Sequence, residues 1–154
     1  MKFRSEQGIL AEALGALARI ASTRNAGTPA LSGVRMDLTG DTLVLSSSDS
    51  DISLQFTIAV GGDTDGQGLV SARMINDIVR VMPNGKVSVE FAGDNAPVSA
   101  LRSQFTIPTL NATEFQRTPA PTGEPITISS TEINAALAQV DQAASTDPLK
   151  HHLS

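Results

Sequence analysis

The chemistry this chain is best equipped for is electrostatic, because four arginines stand on or just after two amphipathic stretches. Arg19 and Arg24 belong to or just follow the first, and Arg73 and Arg80 lie on the second. Guanidinium groups displayed along a helix suit phosphate oxygens, a contact that is independent of base sequence and weakens with salt. The plainer reading of such arginines is a solvated helix face. Other reactive patterns are weaker. His151 and His152 lie near Asp147 but lack a third ligand at recognisable spacing, so an incidental surface pair is expected rather than a metal site. Asp49 and Asp51 sit in a Ser-rich turn without the glycine and distal glutamate of a calcium loop. No Gly-x-Ser-x-Gly elbow, phosphate loop or convergent carboxylate pair is present, so no enzyme, cofactor or metal is expected.

Charge distribution sharpens the arginine reading. The net charge is −5, which by itself speaks against a nucleic-acid partner. Yet Asn25 to Val70 carries Asp37, Asp41, Asp49, Asp51, Asp63 and Asp65 against Arg35 alone, while the helical stretches are comparatively basic. Cysteine is absent, which excludes disulfides and thiolate chemistry and suits a reducing compartment. Glu12 and Arg19 interrupt the apolar residues of Ile9 to Ala21, so neither a secretory signal nor a membrane span can be drawn. A soluble, cytoplasmic protein is expected, in which Asn111-Ala112-Thr113 carries no meaning as a glycosylation pattern.

The elements that position the arginines follow from periodicity. Lys2 to Arg4 reads as a strand, and Ser5 as the N-cap of a helix with Leu10, Ala13, Leu14, Leu17, Ile20 and Ala21 on one stripe. Gly33 to Leu38, Thr42 to Ser47, Ile52 to Val60 and Gly68 to Val70 read as an antiparallel meander, with Thr39-Gly40-Asp41 and Gly61 to Gly66 as turns. Ser71 caps a second helix, Ala72 to Met82, with Ile75, Ile78, Val79 and Met82 buried; Pro83-Asn84-Gly85 stops it. Strands then follow around Val87 to Phe91, Val98 to Leu101 and Gln104 to Ile107. Strand, helix and three strands thus occur twice, predicting an α+β domain of two similar halves, each laying a helix on a sheet.

Arg117 to Pro125 carries three prolines and reads as a linker. Beyond it the opening of the chain recurs: Phe3 falls on Ile126, Leu10 on Ile133, Leu14 on Leu137, Leu17 on Val140, and Ala21-Ser22-Thr23 on Ala144-Ser145-Thr146. The predicted organisation is a domain over residues 1–118, a linker over 119–125, and the strand and helix of an incomplete second copy over 126–154.

Several segments together resemble the bacterial DNA sliding clamp, the beta subunit of DNA polymerase III. These are Met1-Lys2-Phe3, the Thr28 to Val34 run, Ser48-Asp49-Ser50-Asp51-Ile52, the Ser71 to Arg80 helix, and Arg102 to Pro108 followed by Phe115, in the family's order over nearly the whole chain. The resemblance implies a non-catalytic replication processivity factor that encircles duplex DNA as a head-to-tail homodimer and tethers the polymerase. Nucleotidyl transfer itself belongs to other subunits of the DNA polymerase holoenzyme. By position it implies DNA contact for Arg24, Arg73 and Arg80, and for Lys150, His151 and His152, where histidines replace the family's two aromatics. It implies a subunit interface at Arg73, Met74, Ile78, Arg102, Gln104, Phe105 and Ile107, Gln104 standing where a basic residue is common. Polymerase and clamp loader would bind parts of the family absent from these residues, so neither peptide capture nor ring closure is expected of them alone. No membrane partner is implied. The alternative is a free-standing α+β interaction module, or a decoy that caps a clamp subunit's edge without enclosing DNA.

Overall fold

Residue alternation in the first strand runs directly into the first helix. The computed structural model describes residues 1–21, 29–49, 52–115, 122–124 and 126–144. In it β1 spans Lys2–Glu6, with Phe3 and Ser5 facing inward. The first helix, α1, follows at Gln7–Ile20 and buries Leu10, Ala13, Leu14 and Leu17, the stripe that helical periodicity predicts. Ser5 is not its N-cap, contrary to expectation. As an inward strand residue it is 4% exposed, and its hydroxyl donates to the Glu6 carbonyl. The start of α1 is held instead by distant backbone: the Gln7 N–H donates to the Gly85 carbonyl at 2.8 Å and Gln7 Nε2 to the Val79 carbonyl at 2.8 Å.

A 3₁₀ turn, Pro29–Ser32, leads into β2 (Gly33–Thr39), β3 (Thr42–Ser48) and β4 (Ser53–Ala59). The glycine-rich segment expected as a turn contains a further strand, β5 (Gly61–Thr64), which pairs antiparallel with β1. It lacks apolar alternation because backbone, not side chain, sets its course: a Cβ on Gly62 would lie 1.9 Å from the Gly40 carbonyl oxygen. β6 (Gly66–Ser71) leads into α2 (Ala72–Val81), where Ser71 Oγ accepts from the Met74 N–H at 3.4 Å as the cap predicted from sequence. Pro83-Asn84-Gly85 then turns the chain, Gly85 adopting φ 120°. β7 (Lys86–Glu90), β8 (Asn95–Ala100) and β9 (Ser103–Pro108) complete the domain.

The duplication is real, but the halves are not separate layers. The sheets run β5-β1-β7-β8-β9 and β4-β3-β2-β6. Each half gives the strand before its helix to the other half's sheet, so α1 and α2 each connect one sheet to the other. One core, including Phe3, Leu14, Leu45, Ile75, Val89 and Ile107, joins the helices to both sheets. On the opposite side of β6, Leu69 packs with Ala30 and Phe115 in a second cluster. Arg35, 8% exposed, fastens the returning chain there by donating to the Asp37 carboxylate at 2.9 Å and the Ala112 carbonyl at 3.2 Å.

The chain divides into two compact units, Met1–Thr118 and Pro119–Ser154. The second unit contains α3 (Ser130–Val140) and a 3₁₀ turn, Asp141–Ala143. The strand expected at Ile126 is not formed: residues 126–129 pair with no strand among the described residues. No residue of α3 is buried, and Leu137 and Val140 are 54% and 60% exposed.

Two glycines give opposite predictions in urea denaturation. Gly62→Ala should destabilise the chain by about 1–3 kcal/mol, since its methyl meets fixed backbone. Gly8→Ala, in open space on α1, should stabilise it by roughly 0.4–1 kcal/mol.

Candidate nucleic-acid and subunit interfaces

Small residues bring the two helices of the first unit together. Ala11, Gly15 and Ala18 recur at helical spacing on α1 and let α2 approach along that line. Between the helices runs an open groove of about 810 Å³, lined also by Glu12, Arg19, Arg73, Asn76 and Arg80. At 3.6 residues per turn α2 presents three faces. Ala72, Ile75 and Val79 enter the core, Arg73, Asn76 and Arg80 face the groove, and Met74 and Ile78 share the remaining face of this helix, which also contacts β9.

The strand cations are largely neutralised at short range. Lys2 pairs with Glu90 at 2.9 Å across β1 and β7, Arg4 with Asp63 at 2.6 Å, and Arg35 with Asp37 at 2.9 Å. The hydrogen bond to Glu90, followed by that carboxylate's charge, raises the Lys2 pKa. In the groove, Arg73 reaches only Asp77, at 4.0 Å with both side chains exposed, a geometry that contributes little. Neither Arg19 nor Arg80 forms an ion pair among the described residues. Asn76 is 9% exposed and its Oδ1 has no hydrogen-bond partner.

Of the residues expected to contact DNA, Arg73 and Arg80 are thus brought to one groove. Arg24, Lys150, His151 and His152 lie outside the described residues. Arg19, noted in the sequence among the helix arginines but absent from the expected DNA contacts, joins Arg73 and Arg80 in the groove. Asn76 was also missed, since a polar residue on the inner part of a helix leaves no periodic mark.

Of the expected interface residues, Met74 and Ile78 lie on another face of α2 and Arg102, Gln104, Phe105 and Ile107 on or beside β9, whereas Arg73 lines the groove. Among the described residues β9 is an edge strand of its sheet, bonded to β8. Arg102 and Gln104 are exposed, Phe105 is 41% and Met74 43% exposed, and Ile78 is half-buried. Ile107 lies on the same strand but points the other way. Its side chain is fully buried in the core, so only its backbone is available at the edge.

Other reactive patterns resolve into local structure. Asn111 Oδ1 accepts from the Thr113 N–H at 3.1 Å and caps the 3₁₀ turn Ala112–Glu114. Asp49 Oδ1 accepts from the Ile52 N–H at 2.8 Å and closes its turn; Asp51 lies outside the described residues. Among the described residues no group of three metal-ligating side chains occurs, and no helix is long and apolar enough to cross a membrane.

A family model for the DNA polymerase III beta subunit, N-terminal domain, matches residues 1–119. The chain belongs to this family. It is 35% identical to the beta sliding clamp of Micrococcus luteus over 150 residues, covering 96% of this chain and 47% of that protein. It is 33% identical to the beta sliding clamp of Streptomyces coelicolor over 147 residues, covering 96% and 39%. Among solved structures it is similar to Caulobacter crescentus pol III beta, with a TM-score of 0.92 and 28% identity over 99% of this chain and 42% of that one. The chain therefore spans less than half the length of these clamps. Its α+β fold is the sliding-clamp fold, and the family is that of the replication processivity factor.

The unpartnered acceptor of Asn76 makes a separable prediction within this clamp domain. Asn76→Leu should raise stability by about 1 kcal/mol in urea denaturation, because it removes a buried oxygen that has lost water without gaining a donor.

Proposed function

We propose that this chain supplies the first domain, and the opening of a second, of a ring-forming clamp that encircles duplex DNA and tethers DNA polymerase III. In this reading the α1–α2 layer faces the duplex, and the β9–α2 edge receives the next subunit of a head-to-tail dimer. The observation that carries it is the convergence of Arg19, Arg73 and Arg80 in one groove, where only Arg73 has an ion pair, a 4.0 Å one, while Lys2, Arg4 and Arg35 on the strands are each paired at 2.9 Å or less. Arginines so displayed attract phosphates without fixing register on the bases, which is what a sliding part requires.

No catalytic chemistry is needed for that role. Enclosure holds a polymerase at high effective concentration near the primer end, and moderate attraction from the inner wall leaves the ring free to move. The proposed DNA contacts Arg24, Lys150, His151 and His152 rest on the family resemblance. Without enclosure these residues alone should bind duplex weakly, with a dissociation constant on the order of 10⁻⁴–10⁻⁶ M at physiological salt.

Fluorescence anisotropy with labelled duplexes of unrelated sequence tests the reading. Affinity should be the same for each duplex and fall with added salt, and Arg73→Ala or Arg80→Ala should each flatten the logarithmic salt slope by about 0.9. Salt-independent binding, or an unchanged slope when both arginines are replaced, would contradict it.

A further inference from the structure

We infer that Asn76 is a positioning residue for duplex binding: its Oδ1 is the seat for the Arg80 guanidinium while that group holds a phosphate. The inference rests on the reading that the α1–α2 groove faces DNA. Asn76 is a short amide, nine-tenths buried, on a helix whose neighbouring Ile75 and Val79 enter the core. Its Nδ2 donates to Asp77 Oδ1 at a long 3.5 Å. Turning the amide over would set two acceptors against each other, so the oxygen is the end that points into the groove. There Oδ1 faces Gly15 of α1, 3.7 Å from where a Cβ would stand, and has no hydrogen-bond partner.

An acceptor buried at the floor of a groove calls for a donor. The backbone of a duplex does not bring one, because phosphate oxygens only accept; against Asn76 alone they would meet another lone pair. A group with N–H bonds on two sides has to stand between them. A guanidinium has five donors in a fixed fork, so one N–H can be committed to an amide oxygen while another edge holds a phosphate. Both bonds strengthen as the duplex covers the groove and water leaves.

Of the three groove arginines, Arg80 is the one placed for this. Helix side chains lean toward the N-terminus and cover the turn before their own, so Arg80, four residues after Asn76, overlies it. Arg73 precedes Asn76, leans away from it and reaches Asp77. Arg19, four residues after Gly15 on α1, is the rival donor that the experiment separates.

Asn76→Leu removes the seat and leaves every charge in place. Duplex affinity should therefore fall about fivefold with the salt slope unchanged, while the urea midpoint rises. A residue that merely fills the helix layer would move stability without moving affinity. Anisotropy of a labelled duplex titrated with the 154-residue chain at low salt, in wild-type, Arg19→Ala and Arg80→Ala backgrounds, tests this. Asn76→Leu should weaken binding about fivefold in wild type and in Arg19→Ala, and have no effect in Arg80→Ala. Unaltered affinity for Asn76→Leu, with Arg80→Ala still flattening the salt slope, would sink this inference and leave the duplex reading standing. An equal loss in the Arg80→Ala background, or a flattened slope for Asn76→Leu itself, would also overturn the seat. If wild-type binding is independent of salt, both readings fall.

Discussion

The exchange of β1 and β6 between the two sheets is the constraint from which the rest of this structure follows. Each of these strands is bonded into the sheet of the opposite half, so the halves cannot part without breaking both ladders. Because each helix must then travel from one sheet to the other, α1 and α2 are forced side by side on the same layer. The backbone of one half even satisfies the start of the other's helix, through the bonds from Gln7 to Gly85 and Val79. Ala11, Gly15 and Ala18 allow the close approach that this crossing demands. A larger side chain on that line would push α2 away and open the groove.

That packing turns an ordinary pattern of surface charge into a directional one. On β1 and β2, cation and carboxylate lie opposite or beside each other and cancel over a few ångströms. On the helix layer Arg19, Arg73 and Arg80 share a groove with Glu12, and the one ion pair among them, Arg73 with Asp77, is long and exposed. An overall negative chain can therefore present one attractive face to a polyanion, and its total charge is a poor guide to its partner. The other flank of α2 carries apolar residues beside an unpaired sheet edge, where hydrogen-bonding groups and exposed side chains invite a second chain. One ten-residue helix thus serves the core, the groove and the edge.

Strong periodicity made the helices, most of their buried stripes and most strands legible in the sequence, although Ile20 and Ile78, expected on those stripes, are only partly buried and Asn76 is buried instead. Leu10, Leu14 and Leu17 or Val87 and Val89 can hardly be placed otherwise than facing a core. Ser5 misled because a serine before a helical stripe has two uses, and only pairing of β1 with β7 shows that it points inward. β5 was hidden because Gly61 and Gly62 carry no side-chain pattern; its course is set by contact with Gly40. The exchange of strands was also invisible, since a duplicated strand-helix-strand order is compatible with separate or interlocked halves. At the site, the expectation for Arg73 and Arg80 came from the family resemblance, whereas Arg19 gains its place beside them only through the packing of α1 on α2. Ile107 on β9 takes both places expected of it, an edge strand for its backbone and the core for its side chain.

The central claim is that the α1–α2 face, and not a sheet face, meets duplex DNA. Amide chemical-shift mapping of the ¹⁵N-labelled chain during titration with a short duplex tests this most directly. The account predicts perturbations concentrated at Ala11 to Arg19 and Arg73 to Arg80, with Gln55 and Thr57 on the exposed side of β4 unaffected. Shifts centred on β3 and β4, with the two helices silent, would contradict it.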